Sequence, residues 1–587
     1  MPRLLENVAV AELESLLKAG QPGAAMAHLT DPAAVRRAKR WARVNGIYKT
    51  LDRDFDPAKP ILAIKRSDYR GYQRTGTRAS DNILRQRQMD ITQAGLALWL
   101  DHAKASVDYL QDLMWAACDD YTWVLAPHEN SVVDLFSSLM AARLCDVLAC
   151  VGDRLEPEVV TRVRGQIEAR VLLLRDHPSN WWRTCHNNWN HVCNGNIIET
   201  ALYLWQDTPE RLATLVHRCV VDMQAAVDGF ADDGGCLEGP GYWAFGFGHF
   251  ASAAYALHAA TAGRINLMSG DPKLERIARY PLAAHIEGER HAPFADTSHG
   301  YVPVAVALKI NRLLQAPELY ALCRLHANRT LVLGACDELG LYQGEQAPKV
   351  PPADSLLPDL GLARLRSAPG KHQLTVVATA GNNGVSHNHN DVGSFVAYRD
   401  GVEFLTDPGA PIYTSKTFSS RRYEILLCNS LGHSVPVVNG QQQGTGKEYF
   451  GTLATAGLDS RADKSLQMEL AQAYPASAVE SLLRTLQVDY AHHTLTITDA
   501  YRFQKTPRAL LETFITYEPV RVTRDGQSVR IGQGKITATL TAHQPGRFKP
   551  VAEVEASKEG RTGKLVTRII FTPRKLQPQM TLTFKLI

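Results

Sequence analysis

The chain has 587 residues, of which 45% are hydrophobic and 21% charged, with a formal net charge of +4. That length exceeds a single ordinary core and points to about two to four domains, while the composition excludes a disordered or fibrous chain. The small charge gives no support to nucleic-acid binding, although a local basic cleft for an anionic sugar is compatible with it.

No run approaches eighteen uninterrupted apolar residues, so no membrane span is predicted. The start, Met-Pro-Arg-Leu-Leu-Glu-Asn, lacks the basic-then-apolar order of a secretory signal. The expectation is a cytoplasmic protein as written, periplasmic or secreted if a signal has been removed. Ten cysteines lie between Cys118 and Cys428 without a CxxC pair, which predicts free, mostly buried thiols.

Along the chain, the first eighty residues carry a helical stretch followed by a basic, polar connection at 66–87. From about residue 90 to 330 apolar residues recur at three- and four-residue spacing. Helices are predicted over 91–117, 132–150, 157–176, 197–203 and 209–229. Proline, glycine, aspartate and asparagine between them serve as stops and caps. Many antiparallel helices in series without a fixed repeat suggest a bundle, solenoid or toroid. After the proline-rich stretch at 346–352 the period changes to two, and strands are predicted at 373–379, 394–398, 402–406, 494–498, 509–516, 535–540 and 580–584. The expected architecture is a helical domain over 1–350 and an all-β domain over 351–587.

Three polar clusters carry the chemistry. The densest is Ser386-His-Asn-His-Asn-Asp391, followed by a strand, Asp400-Gly401, a second strand and Thr406-Asp-Pro-Gly409. Asp-Gly between alternating runs is a hairpin signal and sets Asp407 opposite Ser394. A bend at Asn390, Asp391 and Gly393 would return His389 toward Asp407, and His433 precedes a strand at 435–438. His389, Asp407 and His433 thus form a candidate divalent-metal site, with zinc ahead of manganese or calcium by ligand type. His387, two residues from His389, shares its face in extended chain and is free to meet substrate while His389 binds metal. Turn capping is the competing reading of these side chains.

The second cluster is Trp181-Trp-Arg-Thr-Cys-His-Asn-Asn-Trp-Asn-His191, whose indoles and amides suit sugar faces and hydroxyls. An aromatic helix start buried between helices is its alternative. The third is Asp233-Gly-Gly-Cys-Leu-Glu-Gly-Pro-Gly-Tyr-Trp, which places Glu238 and Tyr242 at a helix entrance where glycines allow close ligand approach. A preorganised site beside a cation would lower the Tyr242 pKa enough for proton transfer. A packed glycine-rich turn is the competing reading.

In this order, and with eighteen residues from His389 to Asp407, the clusters resemble the heparinase II/III-like superfamily of polysaccharide lyases, over roughly residues 90–587. The resemblance implies an (α/α) toroid of helical hairpins joined to an antiparallel β-sandwich. It also implies β-elimination on uronic-acid-containing polysaccharides or oligosaccharides, such as glycosaminoglycans or alginate, to 4,5-unsaturated uronate products. By resemblance Tyr242 protonates the leaving O4 and is a candidate to remove the C5 proton. Asn190 and His191 neutralise the uronate carboxylate or act as base, with Asn187 and Asn188 as alternatives, and His387 faces substrate. Trp189, Glu238, Arg422 and Tyr423 are further candidate substrate contacts, and the metal is structural. The alternatives are a uronate C5-epimerase of the same architecture, a metal-dependent hydrolase and a non-catalytic carbohydrate-binding protein.

Overall fold

The computed structural model describes residues 3–79, 81–297, 302–323, 335–348 and 353–587. The chain divides into two compact units. One comprises Met1–Gly229, Ala244–Glu275 and Val302–Lys349, and the other Phe230–Trp243, Arg276–Tyr301 and Val350–Ile587. The second unit therefore takes two segments from before residue 350, and both carry residues of the candidate site.

The first unit is helical. Its long helices include Asp81–Trp99, Val107–Asp119, Leu135–Val151, Pro157–Ile167, Asn188–Leu204 and Pro209–Asp228. The Asn188–Leu204 helix packs against Leu135–Val151, Pro209–Asp228 and Gly248–Ala260. It is buried on nearly every face, which explains why its apolar periodicity is weak in the sequence. Side-chain caps set the starts: Ser106 accepts from the Tyr109 amide and Asp134 from that of Ser137.

Some predicted boundaries move. The stretch 91–117 is two helices, broken where Asp101 takes a positive φ of 52° and Ser106 caps the second. The polar connection at 66–87 is also helical, as Arg66–Thr75 and the start of Asp81–Trp99. A helix placed at 197–203 begins nine residues earlier, at Asn188, so the polar cluster lies within it. The apolar Leu135–Val151 helix is a core element, with Met140, Leu144, Val147 and Leu148 all buried.

The second unit is dominated by three antiparallel sheets of eight, four and five strands. Predicted strands appear at Thr375–Thr379, Phe395–Arg399, Val402–Leu405, Thr494–Arg502, Leu510–Thr516, Ile536–Ala542 and Gln579–Leu586. One core joins all three sheets, holding Val376 and Phe395, Phe514 and Phe571, and Leu486, Ile497 and Phe584. This is the packing of a β-sandwich, with burial alternating along strands such as Ser481–Asp489 and Ile536–Ala542, while Leu362–Arg366 and Thr375–Thr379 are covered on both faces. All ten cysteines are free, eight of them buried.

The Asp400-Gly401 hairpin is present, with both residues at positive φ (54° and 83°), as a type I′ turn requires. Its register departs from the simple count. Arg399 pairs with Val402 and Tyr398 with Glu403, but Ala397 pairs with Leu405, so a bulge at Phe404 advances the second strand by one residue. Asp407 is thereby shifted along its neighbour, yet its Oδ2 stays 3.5 Å from the Ser394 hydroxyl.

Candidate active site and metal centre

The two early segments of the second unit are tied to its sandwich by backbone-directed bonds. Arg364 donates to the carbonyls of Ala283 and His285, and Arg366 to that of Ile286. Asp233 Oδ2 accepts from the amides of Asp359 and Leu360, and the Trp243 indole donates to the Ile277 carbonyl. Tyr242 follows a tight entry at Gly239, whose φ is 88°. A Cβ on Gly239 would lie 2.5 Å from Thr297 Oγ1, so both conformation and space demand glycine.

Around Tyr242 the unit assembles a connected polar cluster whose hub is Asp296. Its Oδ2 lies 2.7 Å from His387 Nδ1 and accepts from the Tyr413 hydroxyl at 3.0 Å. Its Oδ1 lies 3.0 Å from His389 Nε2 and accepts from Arg422 Nη2 at 2.8 Å. Burial alone would raise the Asp296 pKa. The bonds from His387 and His389, with the charge of Arg422, instead hold it well below the usual carboxylate range.

Tyr242 and Tyr413 share a short hydroxyl–hydroxyl bond. Besides Asp296 Oδ2, the Tyr413 hydroxyl lies 3.1 Å from His387 Nδ1, so it links both residues to Tyr242. The Tyr242 ring stacks on His387 with centroids 4.1 Å apart. Burial raises the Tyr242 pKa, a rise opposed by its bond to Tyr413. The shift runs opposite to the lowering expected for a tyrosine base, and it leaves a neutral phenol with a proton to give. His387 donates from Nδ1 to Asp296, which leaves Nε2 as the basic nitrogen, 3.5 Å from a Glu238 carboxylate oxygen.

His389, Asp407 and His433 come together as expected, all buried, with donor atoms within 4.8 Å of one another. The sharp turn after His389, with Gly393 at a φ of 95°, returns the chain. The donor chemistry fits a divalent cation. His433 Nε2 donates to the Leu427 carbonyl at 3.0 Å, turning Nδ1 toward Asp407 Oδ2 at 2.7 Å. His389 is oriented by Asp296 on Nε2, and its buried Nδ1 has no hydrogen-bond partner among the described residues. A carboxylate or carbonyl on the far nitrogen of each imidazole is the outer shell that metal-binding histidines carry. Asp407 is set by a turn in which its Oδ1 accepts from the Gly409 amide; a Cβ on Gly409 would lie 2.3 Å from the Thr297 carbonyl. Two nitrogens and one carboxylate suit zinc over calcium. A second donor trio, Asp296, His389 and Cys428, is equally compact, but a cation on Asp296 Oδ1 would meet the Arg422 guanidinium already bound there.

Other expected contacts fall elsewhere. Arg422 is not free for substrate: it also donates from Nε to the Asn388 carbonyl and from Nη1 to that of Thr417. The Tyr423 hydroxyl accepts from the Asn388 amide. In the first unit, Asn190 and His191 point into the helical core. The Asn190 amide donates to the carbonyls of Arg183 and Asp222. His191 sets Nε2 against the Met223 carbonyl, packs on Phe250, and has its pKa pushed down to about 3 by burial. As placed, neither offers an accessible group to a carboxylate, because the helix start turns this pair inward. Asn187 caps the helix by accepting from the Trp189 amide, Asn188 is buried, and Trp189 is half-buried against Trp181.

Residues 349–584 match the sequence model of the family described as Heparinase II/III-like, C-terminal. The second unit carries a heparinase II/III-like C-terminal domain. Among solved structures, a heparinase III is similar at 12% identity and a TM-score of 0.62, over 95% of this chain and 92% of that one. The heparinase III of the BT4657 gene product aligns at 13% and 0.60, over 100% and 91%. A heparan sulfate lyase from Pedobacter heparinus aligns at 11% and 0.54, over 100% and 91%. No curated protein matches the chain in sequence. The structural likeness establishes the fold, and the expected helical toroid followed by an antiparallel β-sandwich is the architecture found.

Asp296, outside the matched residues, and Tyr413, within them, are the site residues that the sequence did not reveal. Neither sits in a motif: Asp296 meets His387 across 91 residues, and Tyr413 meets Tyr242 across 171 and His387 across 26.

The metal reading predicts about one divalent ion per chain by elemental analysis, lost in His433→Ala. At free metal a hundredfold above Kd, its removal costs about 2.7 kcal/mol and lowers Tm by roughly 5–10 °C. A stoichiometric ion that leaves without changing Tm would count against a structural role.

Proposed function

We propose that this protein is a polysaccharide lyase that cleaves uronic-acid-containing chains by β-elimination, with His387 as base and Tyr242 as acid. The carrying observation is the pairing of a proton-bearing phenol with an imidazole whose Nδ1 is fixed by a buried carboxylate, leaving Nε2 basic. The family match over 349–584 and the polysaccharide lyases among the similar folds support the same reading.

In the reaction the C5–H bond breaks and its proton passes to His387 Nε2. The electron pair becomes the C4–C5 double bond, the C4–O4 bond breaks, and O4 takes the Tyr242 proton. Asp296 stabilises the imidazolium that forms, as an orienting carboxylate does in other acid–base dyads. Tyr413 holds the Tyr242 hydroxyl in place through its own bond to Asp296. A bound divalent ion at His389, Asp407 and His433 would supply a structural anchor for the loop that carries His387. In the first unit, Asn187, Asn188 and Trp189 at the helix start remain candidate sugar contacts.

The test is a panel of alginate, hyaluronan, chondroitin and heparan sulfate, followed by ultraviolet absorbance of the unsaturated uronate and product sizing. Absorbance rising with at least one polymer is expected. Silence with all of them defeats the lyase reading, and exchange of the C5 hydrogen without absorbance would mark an epimerase instead.

A further inference from the structure

Elimination from a uronate needs a group that withdraws charge from the C5 carboxylate, because the C5 proton is weakly acidic while that carboxylate stays anionic. Asn190 and His191 are buried, with the Asn190 amide and His191 Nε2 turned to backbone carbonyls, the Arg422 guanidinium is fully engaged, and Asn187 and Asn188 bring amides but no positive charge. The second unit holds another cation beside the tyrosines. Arg561 is exposed and lays its guanidinium over the Tyr413 ring, 4.0 Å from the centroid.

Its placement is built rather than incidental. The Arg561 amide donates to the Ala410 carbonyl, Pro411 bridges to Gly560, and Arg561 Nε donates to the Pro411 carbonyl at 3.0 Å. That is its only side-chain hydrogen bond among the described residues, and no carboxylate there pairs with it. The stem is therefore fixed while both terminal nitrogens remain available. Tyr413, under that guanidinium, bonds directly to Tyr242. The carboxylate on C5 and the oxygen on C4 occupy adjacent ring carbons, so an O4 at the Tyr242 hydroxyl brings the carboxylate into this neighbourhood.

We propose that Arg561 binds the uronate carboxylate beside the scissile bond and supplies the charge neutralisation that elimination requires. This rests on the lyase reading above. A guanidinium suits the role because its planar fork meets a carboxylate with two parallel charge-assisted bonds, and it stays charged throughout the working pH range. A neutral amide would donate hydrogen bonds without cancelling charge. The exposed phenyl ring of Phe418, 4.8 Å from Tyr413 and 6.0 Å from His387 by ring centroids, offers a sugar-stacking face beside the same cluster.

Binding is measured by calorimetry to the Tyr242→Phe protein, with and without Arg561→Ala, so that turnover does not interfere. The probes are hyaluronan, alginate and chondroitin sulfate oligosaccharides, each with its carboxyl-reduced counterpart, and desulfated chondroitin. Arg561→Ala is expected to weaken binding of the acid forms about tenfold to a hundredfold and leave the reduced forms unchanged. In the otherwise native enzyme kcat/KM falls at least as far, mostly in kcat, and Arg561→Lys recovers part of it. An equal loss on acid and reduced forms makes Arg561 a structural staple and overturns the proposal, as does no loss or no binding by any probe. A loss that disappears on desulfation reassigns it to sulfate and overturns the carboxylate contact. Failure of the wild type to release unsaturated product defeats the lyase reading separately, because the binding comparison does not depend on turnover.

Discussion

Tyr242→Phe is expected to lower kcat by about 10²–10⁴ while leaving oligosaccharide affinity near the wild-type value, the range that a single general acid supplies. The substitution removes one oxygen and keeps the ring stacked on His387, so the loss is confined to the proton that O4 must receive. The direction of the Tyr242 pKa shift adds a pH signature. Burial holds the phenol above its ordinary value of about 10, so its ionisation places no alkaline limb on kcat/KM below that pH. Tyr413→Phe gives a contrast. It deletes the hydroxyl bonded to Tyr242 and a donor to Asp296 but no transferred proton, so a smaller fall in kcat is expected. Equal losses in the two variants, or full activity in Tyr242→Phe, would remove Tyr242 from the acid role. Steady-state kinetics on the polymer that gives unsaturated product, with calorimetry for affinity, makes the measurement.

The sequence made the sandwich legible because alternation writes each strand's buried face directly, as at Thr494–Arg502, and Asp-Gly marked its hairpin. The candidate metal trio was legible for a related reason. His389, Asp407 and His433 lie beside strands or turns whose spacing limits where the chain can go. The cluster around Tyr242 was only half visible. Asp296, Tyr413 and Arg561 are single residues in irregular segments, brought together by contacts that no local period encodes. The Asn190–His191 reading was altered by one unrecognised helix boundary. Placing the helix start at 197 left the polar run outside it. With the start at Asn188, each residue turns about 100° from the last, so neighbouring polar side chains are distributed around the helix, and packing on Pro209–Asp228 and Gly248–Ala260 buries Asn190 and His191. Polarity of a run does not reveal which face will be covered.

Asp296 is the residue whose replacement reaches furthest, because its two oxygens take four donors from three separate parts of the unit. In Asp296→Asn the amide keeps the volume but sets an N–H group against existing donors and leaves Arg422 buried without its charge partner. Breaking a buried charge pair in this way costs about 3–5 kcal/mol, or roughly 6–20 °C in Tm for a unit of this size. Activity falls by a second route. Without the carboxylate, His387 is no longer held with its proton on Nδ1, so Nε2 loses its fixed basic role, and a fall of about 10²–10⁴ in kcat is expected. The two routes separate in Arg422→Met, which removes the buried cation but retains the His387–Asp296 bond. That variant is expected to lose stability while keeping more of kcat than Asp296→Asn does. Matched losses of activity in the two variants would reduce Asp296 to scaffolding. A near-native kcat in Asp296→Asn, measured well below its Tm, would show that His387 does not depend on the carboxylate and would take the base assignment with it.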